Sequence, residues 1–212
     1  MKPRKIPFYN EGVFHITSKS IENYKIFRNS SDFFRFKELL KYYNHSNVPI
    51  SYSRFLEYKL KNFKVTFENE IFNSQPIVSI LTYCLMDTHI HIILRQKKDK
   101  GITNFCTKVF QSFSLYFNHK YKRKGPLWSG KFNDTHIESE EQLFHDIAYI
   151  HLNPVTAYMV EDPGDWKYSS HHEYLNKKNN GICDIIEIPD YKSFVLERIE
   201  YFRERARLKN LE

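Results

Sequence analysis

Two apolar runs rich in β-branched residues, PIVSILTYCLM (residues 76–86) and HIHIILR (residues 89–95), are separated only by Asp87 and Thr88. A two-residue spacing fits a β-hairpin, although Asp-Thr is poorer turn chemistry than Asn-Gly. Both runs read as central strands, because neither shows the polar alternation of a strand with one face in water. The rest of the chain must cover them.

His89 and His91 break the second run. Residues i and i+2 of a strand point to the same face, so the two imidazoles project side by side while Ile90, Ile92 and Leu94 face the other way. A buried imidazole without a partner costs roughly 1–3 kcal/mol, so the pair calls for partners. The arrangement can present two nitrogens to one metal ion. An isolated pair of this kind is more often two hydrogen-bonded histidines, and a catalytic reading needs further residues.

The flanking segments give the remaining elements. GVFHITSKS alternates Val13, His15 and Thr17 against Phe14, Ile16 and Ser18, the period of a half-buried first strand. Ser31 before Asp32 opens an amphipathic helix with Phe33, Phe36, Leu40 and Tyr43 on one stripe. Residues 49–74 look helical and close on the loop NSQP, as a possible helical insertion. Phe105, Val109, Phe113 and Phe117 recur at four-residue spacing, which predicts a helix ending near Lys124 at the Gly125-Pro126 breaker. PLWSGKF is a loop leading to a short strand around NDTHIE, and YKSFVLERIEYFRERARLKN forms a single C-terminal helix.

Ser139 and Gln142 form a capping box for a helix that buries Leu143, Ile147 and Ile150. Asn153-Pro154 is expected to end it, because the residue before proline avoids helical dihedrals. Tyr149 and Asn153, four residues apart, share a face. A hydroxyl nucleophile and an amide oxygen, brought against two metal-binding imidazoles, would suit attack on a phosphodiester. A helix hung between NDTHIES and the Asn-Pro break has room to move, while its three buried aliphatic residues favour a rigid one.

Charge points the same way. The chain has 32 Lys and Arg against 25 Asp and Glu, a formal charge of +7, and 17% aromatic residues, which suits a partner with phosphates and bases. From Lys100 to Asn133 there is no acidic residue, whereas Lys108, Lys120, Lys122, Arg123, Lys124 and Lys131 all lie there. That window reads as an electrostatic footprint, with Lys120, Lys122, Arg123, Lys124 and Lys131 as phosphate contacts and Trp128 as either a base-stacking ring or a core plug. Three cysteines, an odd number without CxxC spacing, support neither a disulfide framework nor a zinc ribbon. No apolar segment approaches the ~20 residues of a membrane span, and the basic N-terminus lacks the apolar stretch of a signal peptide. A soluble, cytoplasmic protein is expected.

With GVFHIT, YCLMDTHIHIIL, GPLWSGKF, YIHLNPVTAYMV and WKYSS in this order, the chain resembles the HUH-type single-tyrosine (Y1) transposases, most closely the REP-associated branch, over roughly residues 7–175. The resemblance implies an α+β fold, a ferredoxin-like antiparallel sheet with helices packed on one side, followed here by a C-terminal helical extension. It divides the chain into a transposase domain, residues 1–175, and an extension, residues 176–212. It also implies a divalent metal, Mg2+ or Mn2+, held by His89, His91 and Asn153. Tyr149 would then cleave single-stranded DNA, with a hairpin nearby, through a covalent 5′-phosphotyrosine. MDTH stands where the family commonly has MPNH, and VTAY replaces its usual basic run after Asn-Pro; both affect DNA affinity rather than the catalytic set.

Two other readings compete. Metal-dependent hydrolases also use His-x-His, but HIHIIL has no HxHxDH continuation, and the chain is short for a (β/α)8 barrel. A non-catalytic binder of hairpin DNA or RNA could use the same fold, though it would not need both histidines and Tyr149. Either a monomer or a homodimer fits the sequence.

Overall fold

In the computed structural model, which describes residues 6–61, 68–177 and 181–209, four strands form one antiparallel sheet. They are β1 (Val13–Lys19), β2 (Val78–Leu85), β3 (His89–Gln96) and β4 (Asn133–Ile137), in the order β2-β3-β1-β4. Helix α1 (Ser30–Tyr43), with the short α2 (Tyr52–Leu60) and α3 (Glu68–Phe72), connects β1 to β2, and α4 (Gly101–Lys120) connects β3 to β4. Two strand–helix–strand units with this strand order make the ferredoxin-like fold. The chain continues through α5 (Glu140–Thr156), α6 (His171–Asn176), α7 (Tyr191–Leu196) and α8 (Ile199–Lys209).

The hairpin forms as the spacing predicts, with Met86 and His89 exchanging both backbone hydrogen bonds around Asp87-Thr88. One sheet face, built from Phe14, Ile16, Ile92 and Leu94, packs against the aromatic stripe of α4 and against α1, whose Phe33, Phe36, Leu40 and Tyr43 are all buried. Tyr52, Phe55 and Ile71 add α2 and α3 to that core, while residues 62–67 of the expected insertion lie outside the described residues. Gly101 lets α4 start directly against the sheet, because a Cβ there would collide with the Ile77 carbonyl oxygen. The other face carries Leu81, Cys84 and Ile93 and is covered by α5 with the C-terminal helices.

Four boundaries differ from the sequence expectation. Asn29, not Ser31, caps α1, and it shares a reciprocal capping box with Asp32. Helix α4 stops at Lys120, so Lys122, Arg123 and Lys124 lie in the following loop, where Lys122 takes a left-handed backbone at φ 49°. Helix α5 runs through Pro154 to Thr156. Leu152 and Val155, both fully buried, gain about 1.5–3 kcal/mol each, which outweighs the one hydrogen bond that proline withholds so near the helix end. The single C-terminal helix is two helices, broken at Glu197-Arg198, where the Arg198 guanidinium donates to the Phe194 carbonyl at 2.7 Å.

Candidate active site

The site forms on the sheet face that α5 covers. Register places Lys19 opposite His89 and Thr17 opposite His91, so His15 is the diagonal neighbour of His91 on the same face. His15 Nε2 and His91 Nδ1 are 2.9 Å apart, a hydrogen bond between two rings on adjacent central strands. His89 stands beside them, its ring centroid 5.2 Å from that of His91, and Thr88 Oγ1 lies 3.1 Å from its Nδ1. His91 is buried, whereas His89 and His15 are partly open.

Helix α5 brings Tyr149 to this cluster. Its ring lies 5.7 Å from His91 and 6.3 Å from His15, edge-on to both, and Phe202 of α8 backs it at 5.5 Å. The cap predicted at Ser139 forms, with its side chain accepting from the Gln142 N–H, and Leu143, Ile147 and Ile150 are buried. Asn153, one turn beyond Tyr149, donates from Nδ2 to the Tyr149 carbonyl at 2.8 Å and keeps its amide oxygen as an acceptor. A cavity of about 230 Å3 opens between α5 and α8, lined by Tyr149 together with Asp146, His145, Thr156, Phe202 and Arg205.

Burial sets the protonation states. It lowers His15 to about 4, and it lowers His89, with help from Lys19, also to about 4. His91 is held well below the ordinary range by burial first and by His15, His89 and Lys19 after it. All three rings are therefore neutral at pH 7, each with one bare nitrogen, of which one accepts the hydrogen bond between His15 and His91. Burial raises the Tyr149 phenol above its usual value, so it is protonated at neutral pH. Desolvation also raises Asp146 to about 6.

Only part of the basic window is free of partners within the fold. Lys120 donates to the fully buried Asp32 at 2.6 Å and lies within hydrogen-bond reach of Ser31, Asn29 and Tyr116, so its ammonium already has an ionic partner. Trp128 packs on Phe110 and Phe113, and its Nε1 donates to the Phe110 carbonyl at 3.3 Å. It plugs the core rather than offering a free face to a base. Arg123 donates to Asn118 and Gly125. Lys122, Lys124 and Lys131 are exposed. The loop is tied to the end of β1 beside His89, because Ser129 donates its N–H to the Lys19 carbonyl at 2.9 Å and Ile21 donates its N–H to the Leu127 carbonyl.

Two residues of this face are given no role by the sequence reading, although His15 lies within GVFHIT. The alternation of the first strand puts His15 on its polar face but gives it no role. Lys19 stands on the same face as His89 and is exposed, a cation two strand positions beyond Thr17. What assigns both is the register between β1 and β3, which depends on contacts distant in sequence.

No protein-family model and no curated protein matches the sequence. Among solved structures, a REP-associated tyrosine transposase bound to a REP hairpin superposes with a TM-score of 0.54 at 15% identity, over 89% of this chain and 95% of that one. A bacterial tRNA(His) guanylyltransferase-like protein in complex with ATP aligns over 84% of this chain and 72% of that one at 11% identity, but its TM-score of 0.35 is too low to carry an argument. The first likeness shows the fold: a four-stranded antiparallel sheet with the helix arrangement of a tyrosine transposase. Among the described residues no helix is long and apolar enough to cross a membrane.

Proposed function

We propose that this protein is a metal-dependent single-stranded DNA endonuclease and strand transferase of the HUH type, with Tyr149 as nucleophile. The observation that carries the reading is the placement of the Tyr149 ring against His91 and His15, on a helix otherwise anchored in the core. A tyrosine edge-on to neutral imidazoles suits attack on a phosphodiester.

In the proposed reaction the Tyr149 oxygen bonds to phosphorus, the bond from phosphorus to the 3′ oxygen breaks, and the phenol proton leaves to water as the 3′ oxygen gains one. The product is a 5′-phosphotyrosine and a free 3′-OH, and attack by a 3′-OH on that linkage rejoins the strand. Lys19, across from His89, would meet a non-bridging phosphate oxygen. Lys122, Lys124 and Lys131 would follow the flanking backbone, with a hairpin held beside the cut strand.

The residues fit a divalent cation by donor chemistry: two neutral imidazoles, His89 and His91, with the Asn153 amide oxygen as third ligand. Among the described residues no three His, Cys, Asp or Glu side chains form a metal-holding cluster, so this set would need the Asn153 amide and a substrate phosphate to complete it. Mg2+ or Mn2+ bound there would neutralise phosphate oxygens and polarise the scissile bond, and mixed nitrogen and oxygen ligands suit Mn2+ well.

The test is covalent adduct formation on single-stranded oligonucleotides carrying a hairpin, with Mn2+ or Mg2+, read on a denaturing gel. Wild type should form a protein–DNA adduct that Tyr149→Phe abolishes while its DNA affinity stays within about twofold. Adduct in the phenylalanine variant would assign the nucleophile elsewhere; gel shift without adduct in the wild type would leave a DNA-binding protein on the same fold.

A further inference from the structure

We infer that His15 is a positioning residue that fixes the tautomer of His91, keeping the proton on His91 Nδ1 and the Nε2 lone pair turned towards the cation and phosphate. The inference rests on the reading of His91 as a metal ligand given above.

A single N–H lies between His15 Nε2 and His91 Nδ1, 2.9 Å apart, and either ring can own it. If His15 donates, His91 must be the Nε2–H tautomer and its outer nitrogen carries a hydrogen, which closes it to a cation. If His91 donates, its Nε2 is a bare lone pair. A ligating imidazole characteristically gives its other N–H to a fixed acceptor, which sets both tautomer and ring orientation. The acceptor is usually a carboxylate or a carbonyl. Here the neighbours are the rings of His15, His89 and Tyr149, with Thr17 and Cys84 directly across the sheet, and among the described residues the hydrogen bond that His91 Nδ1 makes is the one with His15.

The scaffold makes His15 a good fixed acceptor. It sits at the middle of β1, a strand paired on both sides, between the fully buried Phe14 and Ile16 on the opposite face. Its partners across the sheet are Ile93 and Thr135, neither of which competes as an acidic group. Tyr149 closes over the ring from α5. His15 therefore bears on the reaction through His91 and need not touch the DNA.

The experiment is 15N NMR of the histidine rings in wild type, His15→Gln and His15→Leu, with Mn2+ affinity measured by EPR on the same proteins. Glutamine retains an acceptor oxygen near the Nε2 position; leucine does not. Wild type and His15→Gln should show His91 protonated on Nδ1, and His15→Leu should bind Mn2+ about 10-fold or more weakly, the usual effect of losing a ligand's outer partner, with glutamine recovering most of it. His91 protonated on Nε2 in the wild type overturns the inference, even if the leucine variant fails to fold. So does an unchanged Mn2+ affinity in a folded His15→Leu. Absence of any DNA adduct alongside the expected tautomer and affinity changes would refute strand cleavage while leaving the role of His15 standing.

Discussion

Asp32 is fully buried in the first turn of α1, and its carboxylate accepts from Lys120, Tyr116, Tyr121 and the backbone N–H groups of Arg28 and Asn29. Burial alone would raise its pKa; the hydrogen bonds from Lys120 and Tyr121 outweigh that and hold it below the ordinary aspartate value. Lys120→Met removes the cationic partner that a buried charge has among the described residues, so unfolding free energy should drop by about 3 kcal/mol, measured by urea denaturation. The salt dependence of DNA binding should barely change. A depressed carboxyl contributes stability above its unfolded pKa and loses it as pH falls through the folded value. Asp32→Asn should therefore flatten the decline in melting temperature below about pH 4, the unfolded aspartate range.

Helix α5 delivers Tyr149 from one face and is fastened from another. His151, fully buried, bonds Thr82 Oγ1 and Ser170 Oγ through Nε2, at 2.9 and 2.8 Å, and Tyr191 OH through Nδ1 at 2.7 Å. Tyr191 OH also meets His171 Nδ1. This network ties α5 to β2, α6 and α7, and together with the unbroken passage through Pro154 it favours the rigid helix over the mobile one. Tyr191→Phe strands two buried imidazole nitrogens and should cost about 1–3 kcal/mol. Burial lowers His171 to about 4, so its share of stability is complete above pH 6.5 and drains away as pH falls from there. A urea midpoint that holds steady between pH 7 and 5 would contradict this. For the basic loop, neutralising Lys122, Lys124 and Lys131 together should reduce the log–log salt slope of single-strand binding by roughly 0.7 for every phosphate that then goes unneutralised.

At the scale of the whole molecule, the sheet divides two cores. The aromatic core under α1 and α4 belongs to the ferredoxin-like unit, and the second depends on the C-terminal helices. Tyr191, Val195 and Phe202 are buried in it, against α5 and its neighbours. Three such side chains represent about 1.5–3 kcal/mol each, a sum comparable with the 5–15 kcal/mol stability of an ordinary domain. A chain ending at residue 189 should lose its cooperative thermal transition in circular dichroism. If it melts as sharply and as high as the full chain, the second core does not need these helices.

The strands, the hairpin, the stripe of α4 and the cap at Ser139 are legible because each is written in local periodicity or in a few adjacent residues. So is the shared face of His89 and His91, which follows from strand geometry alone. The pairing of Tyr149 with that face enters through family resemblance, and the structure is what brings the rings together. Local rules misjudge Pro154, since the burial of Leu152 and Val155 decides whether the helix continues. They also miss the partner of Lys120 and leave Trp128 open between two roles. A lysine in an acid-free window looks free until the chain folds Asp32 beside it, 88 positions away in sequence. His15 is the plainest case: its own strand determines which way it points, but only the register of β1 against β3 sets its nitrogen 2.9 Å from His91, because sheet pairing is fixed by burial of whole faces rather than by neighbours in the sequence.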